Sequence, residues 1–257
     1  MCFARILTSL LIVTLLSMLV VPSVVHSQPV EARGDVSLLL VLAIDVSDSV
    51  KEERWGLQKN AYAQAFRDPE IVQTIIQVGG IAVTLVQWSE EKEQDQSVPW
   101  HVIKDRPSAE AFATAVATMS RKYHSFTSIT TAILFSTALI EKALYRAPRR
   151  VIDISGDGEH NDLSSSKPTV AEARTLAVSK HITINGLPMN APKETAEYNQ
   201  RTIREYEHNV IGGPNAFLLY IPDADSPGLF FEALKRKLFH EISATLPTKP
   251  GILYATR

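Results

Sequence analysis

Five oxygen-bearing side chains in three loops are the first chemical signal in the chain. Asp45-Val46-Ser47-Asp48-Ser49 sets a carboxylate and two hydroxyls at alternate positions. Ser125-Phe126-Thr127 brings a third hydroxyl, and Ser155-Gly156-Asp157-Gly158 a second carboxylate between glycines that permit a tight turn. Hard oxygen donors of this kind suit a six-coordinate magnesium ion, with manganese or calcium as the other candidates and water filling open positions. Asp45, Ser47, Ser49, Thr127 and Asp157 are therefore the candidate metal ligands. Three of the five are neutral, so the ion would keep much of its positive character and could take an external carboxylate. Each loop alone also has a plainer reading. Ser and Asp are common helix N-caps, and Ser47, Ser49 or Thr127 can cap the helix that follows.

Loops that converge must be carried at one end of a sheet, and the hydrophobic pattern provides such a sheet. Residues 37–45, SLLLVLAID, run almost unbroken in apolar side chains, the mark of a strand buried on both faces. Further strands are expected at 81–89, near 98–103, and at 149–155, 182–189 and 216–223. Helical spacing of apolar residues recurs at about 51–67, 108–121, 128–145, 168–181 and 227–244. This alternation predicts an α/β fold: a doubly wound, mostly parallel sheet of about six strands with helices on both faces. The short link between the second and third strands predicts one antiparallel edge strand. Ligands of such sheets bind beyond the carboxyl ends of the strands. The first and third loops directly follow strands and the second opens a helix, so a solvent-accessible rim at that end is expected.

The chain has 257 residues, 26 basic and 28 acidic side chains and a formal charge of -2. That balance excludes the electrostatics of a nucleic-acid backbone binder. Residues 6–21 are uncharged and apolar, with Arg5 before them, Pro22 after them and Val25-His26-Ser27 offering a cleavage site. The pattern reads as a signal peptide over 1–27, which implies export to the periplasm or secretion, with no membrane span after cleavage. An uncleaved anchor is the alternative. The single cysteine, Cys2, would leave with the leader. Residues 28–35 form a polar lead, 36–245 the domain and 246–257 a C-terminal tail.

With loops and strands in this order, the chain resembles the von Willebrand factor type A (VWA) domain over about 36–245. The metal-ion-dependent adhesion site (MIDAS) of that family uses D-x-S-x-S, a distant Thr and a distant Asp, matched by Asp45, Ser47, Ser49, Thr127 and Asp157. More narrowly, DVSDSV, RRVIDISGDG and YEHNVIGGPNAF make it similar to a bacterial family of exported VWA-like proteins of unknown function. The resemblance implies that Ser47, Ser49 and Thr127 bind the ion directly, and that Asp45 and Asp157 do so directly or through water. It also implies a protein partner that supplies an Asp or Glu side chain. Two departures stand out: Thr130 occupies a position where such domains often have Gly, and Phe126 replaces a small residue.

A magnesium-dependent phosphohydrolase with Asp45 as nucleophile is the enzymatic alternative, and a metal-free structural or interaction domain the third. The three loops contain no Lys or Arg, and Asp45-Val46-Ser47 lacks the second carboxylate of a D-x-D pattern. No phosphate-binding glycine motif or G-x-S-x-G is present. Glu159, His160, Asn161 and Asp162 offer calcium ligands but lack EF-hand spacing, and read as a polar surface loop. The sequence therefore favours a binding module over an enzyme.

Overall fold

The computed structural model describes residues 34–161, 168–189, 195–244 and 252–254. The leader read over 1–27, the residues of the polar lead up to 33, and Asp162 lie outside the described residues. The chain runs through β1 (Gly34–Asp35), β2 (Leu38–Asp45), α1 (Glu52–Ala65), α2 (Pro69–Gln77), β3 (Ile81–Trp88) and β4 (Gln94–Ile103). It continues through α3 (Arg106–Thr118), α4 (Ile129–Glu141), β5 (Tyr145–Arg146), β6 (Arg149–Gly156) and α5 (Val170–Ser179). The last elements are β7 (Thr183–Pro188), α6 (Ala196–Glu205), a π-helical turn at Tyr206–Val210, β8 (Leu218–Tyr220), α7 (Pro227–Ser243) and β9 (Ile252–Tyr254).

The main sheet has the order β4-β3-β2-β6-β7-β8-β9. Among the described strands of this sheet only the β3–β4 pair is antiparallel, and β4 forms one edge. Pro99 lies within β4, where an edge strand can spare a ladder donor. In central β2 every side chain is buried. Leu38, Leu40, Leu42 and Ile44 pack into the cluster that includes α1, α3 and α7, while Leu39, Val41 and Ala43 pack into the one that includes α4 and α5. This two-residue alternation explains the unbroken apolar run: both faces of the strand are covered. The expected α/β architecture is the observed one.

Several elements were not anticipated. Helix α2 is short, but its start is marked: Asp68 accepts the N–H groups of Glu70 and Ile71, and Pro69 occupies the first turn. Helix α6 and the π turn occupy a stretch whose first ten residues, AEYNQRTIRE, are mostly polar. The tail expected over 246–257 contains β9, which pairs in parallel with β8 as a seventh strand. Three residues are too few to show a period in sequence. Helix α4 ends at Glu141, earlier than expected, because Tyr145-Arg146 pairs with β1.

A charged cluster lies inside the sheet–helix interface. Asp153 of β6 and Lys237 and Glu241 of α7 are buried together, with Lys237 ion-paired to both acids. Asn185 of β7 donates to Glu241 Oε1 at 2.9 Å. Burial, then the charge of Glu241, pushes the Asp153 carboxyl up to about 7 against the opposing pull of Lys237.

Candidate metal centre

Asp45 ends β2 and Gly156 ends β6, two neighbours in the sheet, so the first and third loops leave it side by side. The loop after Asp45 is pinned from both sides. Val46 N–H donates to the Trp88 carbonyl at 2.9 Å, and Arg121 donates to the Val46 and Ser47 carbonyls, each at 2.9 Å. Ser89, just after β3, holds the second loop: its hydroxyl donates to the Phe126 carbonyl at 2.9 Å and accepts the Ser125 N–H at 3.0 Å. Asp48 N–H donates to the Ser125 carbonyl at 2.9 Å, joining the first loop to the second. Thr127 N–H donates to Asn161 Oδ1 at 2.8 Å, joining the second to the third.

The candidate ligands follow this framework. Ser47 N–H donates to Asp45 Oδ1 at 2.7 Å, the Ser47 and Ser49 hydroxyl oxygens lie 3.1 Å apart, and the Ser49 hydroxyl donates to Asp157 Oδ1 at 2.6 Å. Asp45 and Asp157 are both 0% exposed. Ser47 and Thr127 are buried too, leaving Ser49 and Asp48 exposed at the mouth. The expected solvent-accessible rim is therefore narrower than the loop composition suggested: the carboxylates sit below it. Burial, then the charge of Asp157, pushes the Asp45 carboxyl up to about 7, opposed by its bonds to Ser47 and the Asp157 backbone.

The helix-capping reading does not describe these hydroxyls. The N-cap of α1 is Lys51 and that of α4 is Ser128, and neither makes a side-chain capping bond. Ser47, Ser49 and Thr127 thus remain available for other work. An octahedron of oxygens about magnesium, at ~2.1 Å from the ion, has edges of about 3.0 Å. The two serine hydroxyls are hydrogen-bonded to each other at 3.1 Å, a spacing that is also close to such an edge. Asp45 Oδ2 is buried without a hydrogen-bond partner, so it is an oxygen that could ligate a cation once the carboxyl is ionised. The donor set therefore fits a hard divalent ion. Among the described residues no group of three or more His, Cys, Asp or Glu forms a metal cluster. The candidate set has only two carboxylates and would not form one.

Four residues to which the sequence reading gave no part in the site complete it. Arg54 of α1 donates from Nη1 to Asp157 Oδ2, and from Nε and Nη2 to Asp225 Oδ1 at 3.0 and 2.9 Å. The absence of a cation from the three loops therefore does not hold in space. Arg121 and Asn161 hold the loops as described. Tyr206, in the π turn, is buried with an unpartnered hydroxyl. Burial, then the charge of Asp45, pushes that hydroxyl well above its ordinary value. A Cβ on Gly156 would lie 2.6 Å from Tyr206 Oη and 2.9 Å from Asp45 Oδ2, so glycine lets both groups close on the strand end. Tyr206 opens the YEHNV string, which was legible only as a family marker. Phe126, beside Thr127, is 49% exposed at the rim.

Residues 35–246 match a family described as protein of unknown function (DUF1194). No curated protein matches the chain in sequence. Among solved structures, the chain is similar to the pilus adhesin SpaC from Lactobacillus rhamnosus GG, at 12% identity and a TM-score of 0.55. That match covers 80% of this chain and 31% of the adhesin, so the chain spans about a third of that protein's length. It is also similar to the von Willebrand factor domain of the type V pili tip protein Mfa5 from Porphyromonas gingivalis, at 9% identity and a TM-score of 0.53, covering 83% and 97% of the two chains. A von Willebrand factor type A structure from Catenulispora acidiphila matches at 14% identity and a TM-score of 0.50, covering 79% and 43%. At these identities the likeness shows a shared VWA-like fold. Among the described residues no helix is long and apolar enough to cross a membrane.

Proposed function

The chain belongs to the DUF1194 family, and from that footing we propose that it is an exported, divalent-metal-dependent protein-binding module. Asp45, Ser47, Ser49, Thr127 and Asp157 would hold the ion, with magnesium the preferred occupant. A bound ion would supply one open coordination position for an Asp or Glu side chain of a partner protein. The observation that carries the reading is that Ser47 and Ser49, which cap no helix, lie beside two buried carboxylates, with the serine oxygens 3.1 Å apart and Ser49 bonded to Asp157. The likeness in fold to a pilus adhesin and to the von Willebrand factor domain of a pilus tip protein lends it support by analogy.

The enzymatic alternative is less well supported. Asp45, its required nucleophile, is wholly buried, and Arg54 is committed to Asp157 and Asp225 rather than directed to a substrate phosphate. A metal-free interaction domain has one observation in its favour, because the Arg54 guanidinium already neutralises Asp157.

Calorimetric titration of the purified protein with magnesium, manganese and calcium tests the metal reading directly. Partner capture should then require magnesium, survive Thr127→Ser and fail in Thr127→Ala. Thr127→Ala removes a neutral donor without changing formal charge, so a merely charge-steered interface would tolerate both variants. Absence of ion binding would leave the metal-free domain.

A further inference from the structure

We propose that Arg54 is an internal counter-cation, competing with the divalent ion for Asp157 and leaving the loaded site with a net positive charge. The proposal rests on the metal-binding reading above and deepens it. Arg54 lies in the first turn of α1 and is 8% exposed. Its guanidinium joins two carboxylates from separate loops, one at the end of β6 and one ahead of α7. The two are not equivalent. The Asp225 side chain is 51% exposed, so water and salt screen its charge. Asp157 is fully enclosed, and its attraction for Arg54 is screened far less.

Both Asp157 oxygens are engaged by protein groups, Oδ1 by the Ser49 hydroxyl and Oδ2 by Arg54. Ser49 can keep that bond while offering a lone pair to an ion, since a hydroxyl is both donor and acceptor. Arg54 has no lone pair to offer and acts only as positive charge. Ion binding requires ionised carboxylates. With Asp45 and Asp157 ionised, the pair and Arg54 together carry a formal charge of about -1, which a divalent ion turns to about +1. Without Arg54 the same steps would run from about -2 to about 0. Arg54 thus weakens the attraction for the ion, and in return leaves a surplus positive charge that favours an incoming carboxylate. A tie that served only to hold α1 against two loops would give its charge no such effect.

Titrating manganese into purified wild type, R54Q and R54K, followed by water-proton relaxation, separates these roles. R54Q should bind manganese at least tenfold more tightly than wild type, while R54K, which keeps the charge, should stay within about threefold. Wild-type binding that is no weaker than that of folded R54Q overturns the proposal and leaves the metal reading intact. Absence of binding in both wild type and R54Q removes the metal reading, and the proposal with it. Should R54Q fail to fold, the wild-type guanidinium decides. Its side-chain NMR signals, assigned by their loss in R54K, should shift and exchange faster with water when magnesium is added. Signals unmoved at saturating magnesium would overturn the proposal.

Discussion

Thr127 and Asn161, 34 residues apart, are bonded twice: Asn161 Oδ1 accepts the Thr127 N–H at 2.8 Å, and the Thr127 carbonyl accepts the Asn161 N–H at 3.0 Å. A residue that reads in sequence as part of a polar surface loop therefore sets the position of a candidate ligand. Asn161→Ala should lower magnesium affinity by about tenfold although none of the five candidate oxygens is removed. Its effect on stability should be small, about 1 kcal/mol. Calorimetry and denaturant unfolding measure the two effects separately, and equal losses in both would make Asn161 a general structural residue.

Gly156 is the point where Asp45, Tyr206 and β6 come closest. Gly156→Ala should destabilise the fold by about 1–3 kcal/mol through overpacking against Tyr206 Oη and Asp45 Oδ2. Tyr206→Phe removes the nearer of the two obstructing atoms, so the double variant should lose less than the sum of the single ones. Additive losses in urea unfolding would mean that the methyl group is accommodated elsewhere.

The Arg54–Asp157 pair changes what is expected of Asp157→Ala. An acid on an open rim could be removed without loss of stability, but this one is buried and partnered. Asp157→Ala leaves Arg54 with only the half-exposed Asp225, and should cost about 3 kcal/mol as well as weakening ion binding. Thermal unfolding in chelator isolates the first effect. An unchanged midpoint would show that the pair contributes no net stability.

Stability should depend on pH through Asp153. Its carboxyl is raised from 3.8 to about 7 in the folded protein, so between these values the native state holds a proton that the unfolded state has lost. Wild-type stability therefore falls as pH rises from about 4 to about 7, by up to about 1.4 kcal/mol per pH unit from this group. Asp153→Asn lacks the titration, so its stability relative to wild type should increase through that window and level off above it. Denaturant unfolding in chelator at pH 5, 6, 7 and 8 provides the comparison. A constant difference would remove Asp153 as the titrating group.

How much was legible depended on the range of the interactions involved. The strand at 38–45 and the D-x-S-x-S loop were readable because burial on both faces and loop chemistry are written in consecutive residues. Asp157 was readable because two glycines and a preceding apolar strand mark a tight turn at a strand end. Arg54 was not, because its partner is 103 residues away and nothing near Arg54 in sequence distinguishes it from a surface helix residue. Helix α6 was missed because its residues are mostly polar and its packing is decided by what lies beneath it.

The sequence by itself determined the alternation of strands and helices, the sheet they build, and which oxygen donors leave its carboxyl end. Those features follow from periodicity and from turn chemistry within a few residues. Only the tertiary structure decided the electrostatics of the site: that Asp45 and Asp157 lie out of water, that Arg54 ion-pairs with Asp157, and that Tyr206 closes over Gly156. Charge balance and desolvation depend on distances of a few ångströms between residues far apart in the chain, and these exist only once the sheet has brought its loops together.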